Sequence, residues 1–288
     1  MKRTGSTGVA ICRTRGVRVT KRALFYIALT IITALFLLPF WIILTTSLRS
    51  RLETFNNVVV LFFKPTIEHY VRVLAGENFP RYFFNSFIIA SAVTVLVSYL
   101  GALTAFTLTR FLFKGYRMVT IGIITARMFP PIALLPAFFL LASRLHLVDT
   151  RAVVIFAHTA YGLPFIVFMM LGFFYAVPRD LDEAARIDGC SWFGVFNRVI
   201  LPNVAPGLAA AAILSFVWSW NEFLFALVLT RATAKTLPVT VSEFLTFTQV
   251  DWQGLTSMGT ILIVPAVIIT IFAQKHLVKG LTAGAVKT

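Results

Sequence analysis

Long apolar stretches without charge dominate the pattern along this chain. Four of them contain no Asp, Glu, Lys or Arg, and they lie between Arg22 and Arg49, Arg81 and Arg110, Arg151 and Arg179, and Asp251 and Lys275. About 20 apolar residues are enough to cross roughly 30 Å of hydrocarbon as a helix. Each of these stretches therefore predicts a membrane-spanning helix.

Two further apolar stretches carry a single charge each. Residues 118–141 contain Arg127, and residues 207–230 contain Glu222. With these two, the pattern predicts an all-α polytopic membrane protein whose six transmembrane helices form one domain, residues 24–277. The predicted spans are 24–46, 83–107, 118–141, 152–176, 207–230 and 257–277.

Composition agrees with a lipid environment. Hydrophobic residues make up 58% of the 288 residues and charged residues 13%, which excludes an ordinary water-soluble domain. The net charge of +15 comes from Lys and Arg that separate apolar runs, so it favours anionic lipid headgroups over nucleic acid. Cys12 and Cys190 have no metal-ligand spacing, and they predict no disulfide because both lie in segments assigned to the cytoplasmic side.

Orientation follows from the Lys and Arg residues of the loops. With the N-terminus inside, the inner segments hold 16 Lys and Arg residues, whereas the outer loops hold 9. This predicts that the basic tail 1–23 and the tail 278–288 are both cytoplasmic. The loop 177–206, between spans four and five, is then also on the cytoplasmic side.

That loop is too long for a turn and too apolar for a solvated connection. Pro178 and the following acidic residues suit the start of a helix, and Gly189 suits its end. Leu181, Ala184 and Ala185 would share one face of this first helix. Ser191 can cap a second short helix, in which Trp192, Phe196 and Val199 recur at helical spacing. Because such short helices are marginal alone, the pair either lies on the lipid surface as an amphipathic elbow or docks on a partner.

The same loop carries a recognisable spacing. Its order is E-A-A, three residues, G, nine residues, an aliphatic residue, one more residue and L-P. This resembles the signature loop of the membrane subunits of ATP-binding-cassette importers, with Val199 in place of the more usual Ile. The phrases WNEFLFALVLT, MFPP and GLTAGAVK resemble the maltose-transporter type of carbohydrate permease, so the likeness covers the chain from about residue 20 onward.

The resemblance implies a type I importer permease fold in the cell membrane of a prokaryote. It implies four kinds of partner: a second, homologous permease subunit, two ATP-binding-cassette ATPases, an extracytoplasmic solute-binding protein, and a sugar or oligosaccharide as substrate. It also assigns the first loop helix to a cleft on the ATPase. The expected coupling residues are Glu183, Ala184, Ala185, Asp188, Gly189, Val199, Leu201 and Pro202.

The chain itself predicts no catalysis. It has no G-x-x-x-x-G-K-[ST] phosphate loop, so ATP and Mg²⁺ would be bound by the partner ATPases and no cofactor or metal by this chain. It also lacks paired carboxylates, a His cluster and a G-x-S-x-G elbow, which argues against an intramembrane enzyme.

Charges at bilayer depth are candidates for function because they are costly there. Arg127 and Glu222 could form an ion pair that holds helices together, or they could line the solute path separately with Asn221. Pro130 and Pro131 must break span three, as a gate, a cavity or a packing kink. His158 is expected to be a satisfied polar residue between helices.

Two other functions are compatible with the sequence. Relatives of the same type carry glycerol phosphates, and the basic Arg127 fits such a solute. A proton-coupled secondary transporter could use Glu222 as a proton carrier, but that class usually shows internal repeats and about twelve spans.

Overall fold

The computed structural model describes residues 7–51, 53, 63–111, 113–245 and 249–283, and these residues form an all-α protein. Within them β structure is limited to an isolated bridge between Leu245 and Val250. Parts of both predicted tails, 1–6 and 284–288, lie outside the described residues, as does the side chain of Cys12.

Apart from the short 3-10 helix Val241–Phe244, twelve helical elements follow one another along the described chain. They are α1 (Thr7–Ser47), α2 (Glu68–Leu74), α3 (Phe79–Arg110), α4 (Tyr116–Ala126), α5 (Pro131–Arg144), α6 (Arg151–Ala176), α7 (Asp180–Ile187), α8 (Trp192–Asn203), α9 (Ala205–Asn221), α10 (Leu224–Leu229), α11 (Leu237–Thr240) and α12 (Trp252–Ala283).

Four of these helices are each long and apolar enough to cross a membrane, namely α1, α3, α6 and α12. Two bent pairs pass the same test, α4 with α5 at 97° and α8 with α9 at 83°. Counting each bent pair as one crossing gives six. The fold is therefore that of a polytopic helical membrane protein, as the sequence predicts.

The two spans that carry a charge are not continuous helices. The break between α4 and α5 falls at Arg127–Pro130, where adjacent prolines prevent continuation of the helix. The helix expected over 207–230 is divided as well, because α9 ends at Asn221 and α10 begins at Leu224. No proline explains this second break. The side chain of Glu222 binds the backbone N–H groups at the start of α10 instead.

The centre of the molecule is the packing of α3 against α6 and α9. Lipid tails are as apolar as the side chains, so close approach of small residues matters more here than the hydrophobic effect does. Ala90, Ala102 and Ala105 of α3 are fully buried. A Cβ added to Gly101 would lie 2.7 Å from Ile166 Cγ2, so α3 and α6 touch where only glycine fits.

The outermost helix is α1. It packs along α12, and its large apolar side chains from Leu24 to Leu44 are largely exposed. Such a surface is stable in lipid but not in water.

A second set of contacts fixes the loops at the end of α6 that lies opposite the 177–206 loop. Asp149 accepts hydrogen bonds from the backbone N–H groups of residues 231–234, at 2.9 to 3.2 Å. Burial alone would raise the pKa of Asp149, but these hydrogen bonds stabilise the carboxylate and hold the pKa well below its ordinary value. Asn85 accepts from Arg151 Nε at 2.6 Å and donates to two carbonyls of the same loop. Together they connect the ends of α3, α6 and α10.

Candidate functional site

The loop of residues 177–206, here called the elbow, forms a helix, a glycine turn and a second helix, as the sequence predicts. Gly189 has φ +83°, the left-handed conformation that glycine tolerates best. Its N–H donates to the carbonyl of Arg186 at 3.1 Å, and the N–H of Cys190 donates to Ala185 at 3.0 Å. These two bonds make a Schellman cap that ends α7.

The buried face of α7 differs from the expected one. Asp182 and Ala185 point inward, whereas Leu181 and Ala184 are exposed. The prediction grouped Leu181, Ala184 and Ala185 by their spacing of three and four along a helix, and this spacing does not say which face of the helix packs inward. Ile187, 86% exposed, extends the outward face as an apolar side chain.

The second elbow helix, α8, begins at the expected cap, since Ser191 Oγ accepts from the N–H of Gly194 at 3.2 Å. Its middle, Val195–Ile200, is π-helical. The wider turn changes the inward set from the predicted one: Val195, Phe196 and Ile200 are buried, whereas Trp192 is 42% exposed. Among the predicted residues only Phe196 is fully buried, and it packs against Phe106 and Phe174.

The expected coupling residues are distributed over both sides of the elbow. Glu183, Ala184, Asp188, Gly189 and Pro202 are exposed. Val199 and Leu201 are half-buried, and Ala185 is buried. The exposed members lie on a surface that a partner could contact, and the others attach the elbow to the membrane helices.

A buried ion pair that the sequence reasoning missed fastens α7 to the end of α3. Arg110 Nε lies 2.6 Å from Asp182 Oδ2, with side-chain exposures of 4% and 6%. Burial raises the pKa of Asp182 by more than the neighbouring Arg110 lowers it. Asp182 was assigned only to the acidic first turn of the helix, and no sequence signal connects it to a residue 72 positions earlier.

Within the membrane helices, Glu222 pairs with His158 and not with Arg127. His158 Nε2 lies 2.9 Å from Glu222 Oε2, and His158 Nδ1 lies 2.8 Å from Ser219 Oγ. The same carboxylate accepts from the backbone N–H groups of Phe225 and Ala226, at 3.0 and 3.3 Å. The positive end of the α10 dipole and the imidazole thus compensate Glu222. His158 is the satisfied polar residue between helices that was expected.

Arg127 occupies an aromatic site. Its Nη1 donates to the backbone carbonyl of Tyr161 at 3.0 Å, and its guanidinium carbon lies 4.1 Å from the centre of the Tyr161 ring. The rings of Trp218 and Phe165 lie 5.6 and 5.9 Å away. The ion pair of Arg127 with Glu222, one of the two predicted arrangements, is therefore absent from the described structure.

One layer of rings separates the two charges. Trp218 stacks on Tyr161 and meets the His158 ring edge-on. Asn221 lies on the exposed side of α9, where Nδ2 donates to the carbonyl of Val217 at 2.7 Å. Beside the proline break, an apolar cavity of about 200 Å³ is lined by residues that include Phe129, Phe138 and Tyr161. Among the described residues, no group of His, Cys, Asp and Glu side chains could hold a metal ion.

Comparison with known proteins finds one matching family and several similar chains. Residues 97–283 match the family described as binding-protein-dependent transport system inner membrane component. The trehalose/maltose transport system permease protein MalG of Thermococcus litoralis is 36% identical, over 93% of this chain and 98% of its own. The trehalose permease SugB of Mycobacterium tuberculosis is 33% identical, over 93% and 98%. The sulfoquinovosyl glycerol permease SmoH of Agrobacterium fabrum is 33% identical, over 92% and 94%.

Solved structures agree on the fold. A chain of a bacterial ABC transporter that imports the acidic polysaccharide alginate superposes with a TM-score of 0.75 at 21% identity, covering 96% of this chain and 99% of that one. A chain of the MetNI methionine ABC transporter, in an inward-facing conformation, superposes with a TM-score of 0.58 at 18% identity, covering 70% and 95%.

Proposed function

This chain belongs to the family of binding-protein-dependent transport system inner membrane components, and we propose that it forms half of the sugar path of an ATP-binding-cassette importer. It is a multi-pass permease subunit of the inner membrane, from a family whose permease subunits are generally non-catalytic. The observation that carries the proposal is the elbow. Its helices are fastened to α3 and α6 by buried contacts, yet α7 presents an exposed face with Ala184, Ile187 and Asp188.

That exposed face is the proposed contact with an ATPase. A rigid helix seated in a cleft that closes can move the spans by contact alone, without chemistry of its own. We assign the contact itself to the exposed residues Glu183, Ala184, Asp188, Gly189 and Pro202. The other three expected coupling residues, Ala185, Val199 and Leu201, would couple by attaching the elbow to the membrane helices. ATP and Mg²⁺ belong to the ATPase subunits, and this chain needs no cofactor.

The remaining partners follow from the family. A second permease subunit completes the path, and an extracytoplasmic binding protein delivers the solute. The elbow, together with the tails 1–23 and 278–288, then lies on the cytoplasmic side. The excess of Lys and Arg in these segments supports this orientation.

A sugar or small oligosaccharide is the proposed solute. The relative MalG is named for the transport of trehalose and maltose, and SugB for the transport of trehalose. Arg127, Asn221 and Glu222 are the proposed polar positions of the path, since aromatic faces and hydrogen bonds are the usual means of holding a sugar. A negatively charged solute such as a glycerol phosphate is the second candidate. The guanidinium of Arg127 favours it, because no carboxylate neutralises this group among the described residues.

The test is ATP hydrolysis by the purified complete complex in lipid. The complex is mixed with its binding protein and, in turn, with trehalose, maltose, other oligosaccharides and glycerol phosphates. We expect hydrolysis to rise with one of the sugars. A rise only with glycerol phosphates would select the second candidate. Uptake driven by a proton gradient without any ATPase would overturn the importer assignment.

A further inference from the structure

The attachment of α7 to the membrane helices depends on few groups. Of its eight residues, only Asp182 and Ala185 are buried. Ala185 offers one methyl group, so the principal anchoring side chain is Asp182. Its carboxylate meets Arg110, the last residue of α3, at 2.6 Å.

Two further hydrogen bonds cross this junction in opposite directions. Arg110 Nη2 donates to the carbonyl of Val177, just before α7, at 3.1 Å. Arg179 Nη2 donates to the carbonyl of Thr109, near the end of α3, at 2.9 Å. Each of the two segments therefore has an arginine that donates to a backbone carbonyl of the other segment. These bonds fix the relative position of the two segments in several directions.

Stability does not account for burying this pair. Removing two charges from water can cost more than their attraction returns, and a well-packed apolar pair is often as stable. The raised pKa of Asp182 shows that burial outweighs the effect of Arg110 at this site. Asp182 Oδ1 is also buried without a hydrogen-bond partner among the described residues. The pair is better explained by the position that it imposes.

We propose that Arg110 and Asp182 are positioning residues that transmit movement of α7 to α3, and through the close packing of α3 on α6 to the solute path. This inference rests on the proposed function, because α7 must be moved by an ATPase. An ion pair of fixed length transmits both push and pull, whereas an apolar contact transmits mainly push. Without the pair, two backbone hydrogen bonds alone would hold α3 to the start of α7, and α3 would lag behind the movement of α7.

The experiment compares Asp182→Asn with Asp180→Asn in the complete complex. Both variants remove one negative charge from the first turn of α7, but Asp180 is exposed. Three quantities are measured in proteoliposomes: ATPase recovered with the permease, ATP hydrolysed, and solute taken up per ATP. We expect Asp182→Asn to keep its ATPase while uptake per ATP falls about tenfold, within the usual range of coupling between sites. Asp180→Asn should keep the wild-type uptake per ATP, and Asp182→Glu should recover much of the coupling.

A second variant keeps the inference testable if Asp182→Asn fails to fold. The double variant Arg110→Gln with Asp182→Asn leaves no unpaired buried charge, so it should assemble. It should still be uncoupled, because a neutral pair holds position less firmly. Uptake per ATP at the wild-type level in either assembled variant would overturn the inference. A wild-type complex whose hydrolysis ignores every solute would instead overturn the proposed function.

Discussion

His158 and Glu222 form a buried pair in which Nε2 lies 2.9 Å from Oε2, with 1% and 8% of the two side chains exposed. The pair joins α6 to the break between α9 and α10. Because an ionised carboxylate only accepts, Nε2 is the donor in this pair, while Nδ1 lies 2.8 Å from the hydroxyl oxygen of Ser219. Glu222 is thus both a helix cap for α10 and a contact between spans four and five.

Removing the imidazole should therefore destabilise the protein more than neutralising the acid does. His158→Ala leaves a buried carboxylate with two backbone donors only, which should cost on the order of 3 kcal/mol of unfolding free energy. Glu222→Gln keeps an acceptor for α10 and should cost about 1 kcal/mol. Denaturant unfolding in detergent measures both values. Equal costs would contradict the assignment of His158 as the partner that compensates the charge.

Uptake should depend on the shape of Arg127 as well as on its charge. Arg127→Leu should abolish transport, because it removes the only charge of span three. Arg127→Lys keeps the charge but loses the planar group over Tyr161, a loss of about 1 kcal/mol or roughly fivefold in uptake. Arg144→Leu, at the exposed end of α5, is the control and should be neutral. Normal transport by Arg127→Leu would remove Arg127 from the proposed path.

Replacing Gly189 tests the elbow as an ATPase contact. Gly189→Val forces a β-branched residue into a left-handed conformation, at a cost of about 1–2 kcal/mol. The turn should relax by moving α7, so we expect about tenfold weaker recovery of the ATPase, with membrane insertion intact. Gly172→Val is the matched control, since a Cβ there meets nothing and no positive φ is required. Unchanged ATPase recovery in Gly189→Val would count against docking at this site.

Stability should depend on pH through Asp149. Its pKa is lowered in the folded state, so its contribution is fully present above the pKa of an unfolded aspartate. The contribution is lost as the pH falls through that value and then through the lower folded pKa. Thermal unfolding of wild type and Asp149→Asn in detergent should therefore differ most at neutral pH and converge only in strong acid. If the two proteins already had equal stability in mild acid, the pKa of Asp149 in the folded state would not be lowered as described.

The sequence predicts the spans because lipid imposes a simple rule on them. Charge-free length alone located α3 and α6, and the two prolines located the break after α4. Glu222 was recognised as an exception, but its role as a cap could not be seen. A single acidic residue in an apolar segment does not show that its side chain accepts hydrogen bonds from the backbone N–H groups of the next helix.

The sequence could not predict which residues from distant parts of the chain contact each other. His158 and Glu222 are 64 positions apart, and their contact depends on which helices become neighbours. The same holds for Arg110 and Asp182. The buried residues of α8 were not predicted correctly because a π-helical turn shifts the register of the helix. The sequence of that turn does not indicate that it is π-helical.

The packing of α3 on α6 also affects the order in which the protein can mature. Synthesis delivers α3 before α4, α5 and α6, so Asn85 enters the bilayer before Arg151 and the 231–236 loop exist to receive its hydrogen bonds. The glycine notch at Gly101 likewise stays empty until Ile166 arrives. A newly made α3 therefore lacks these partners until the second half of the chain has been translated.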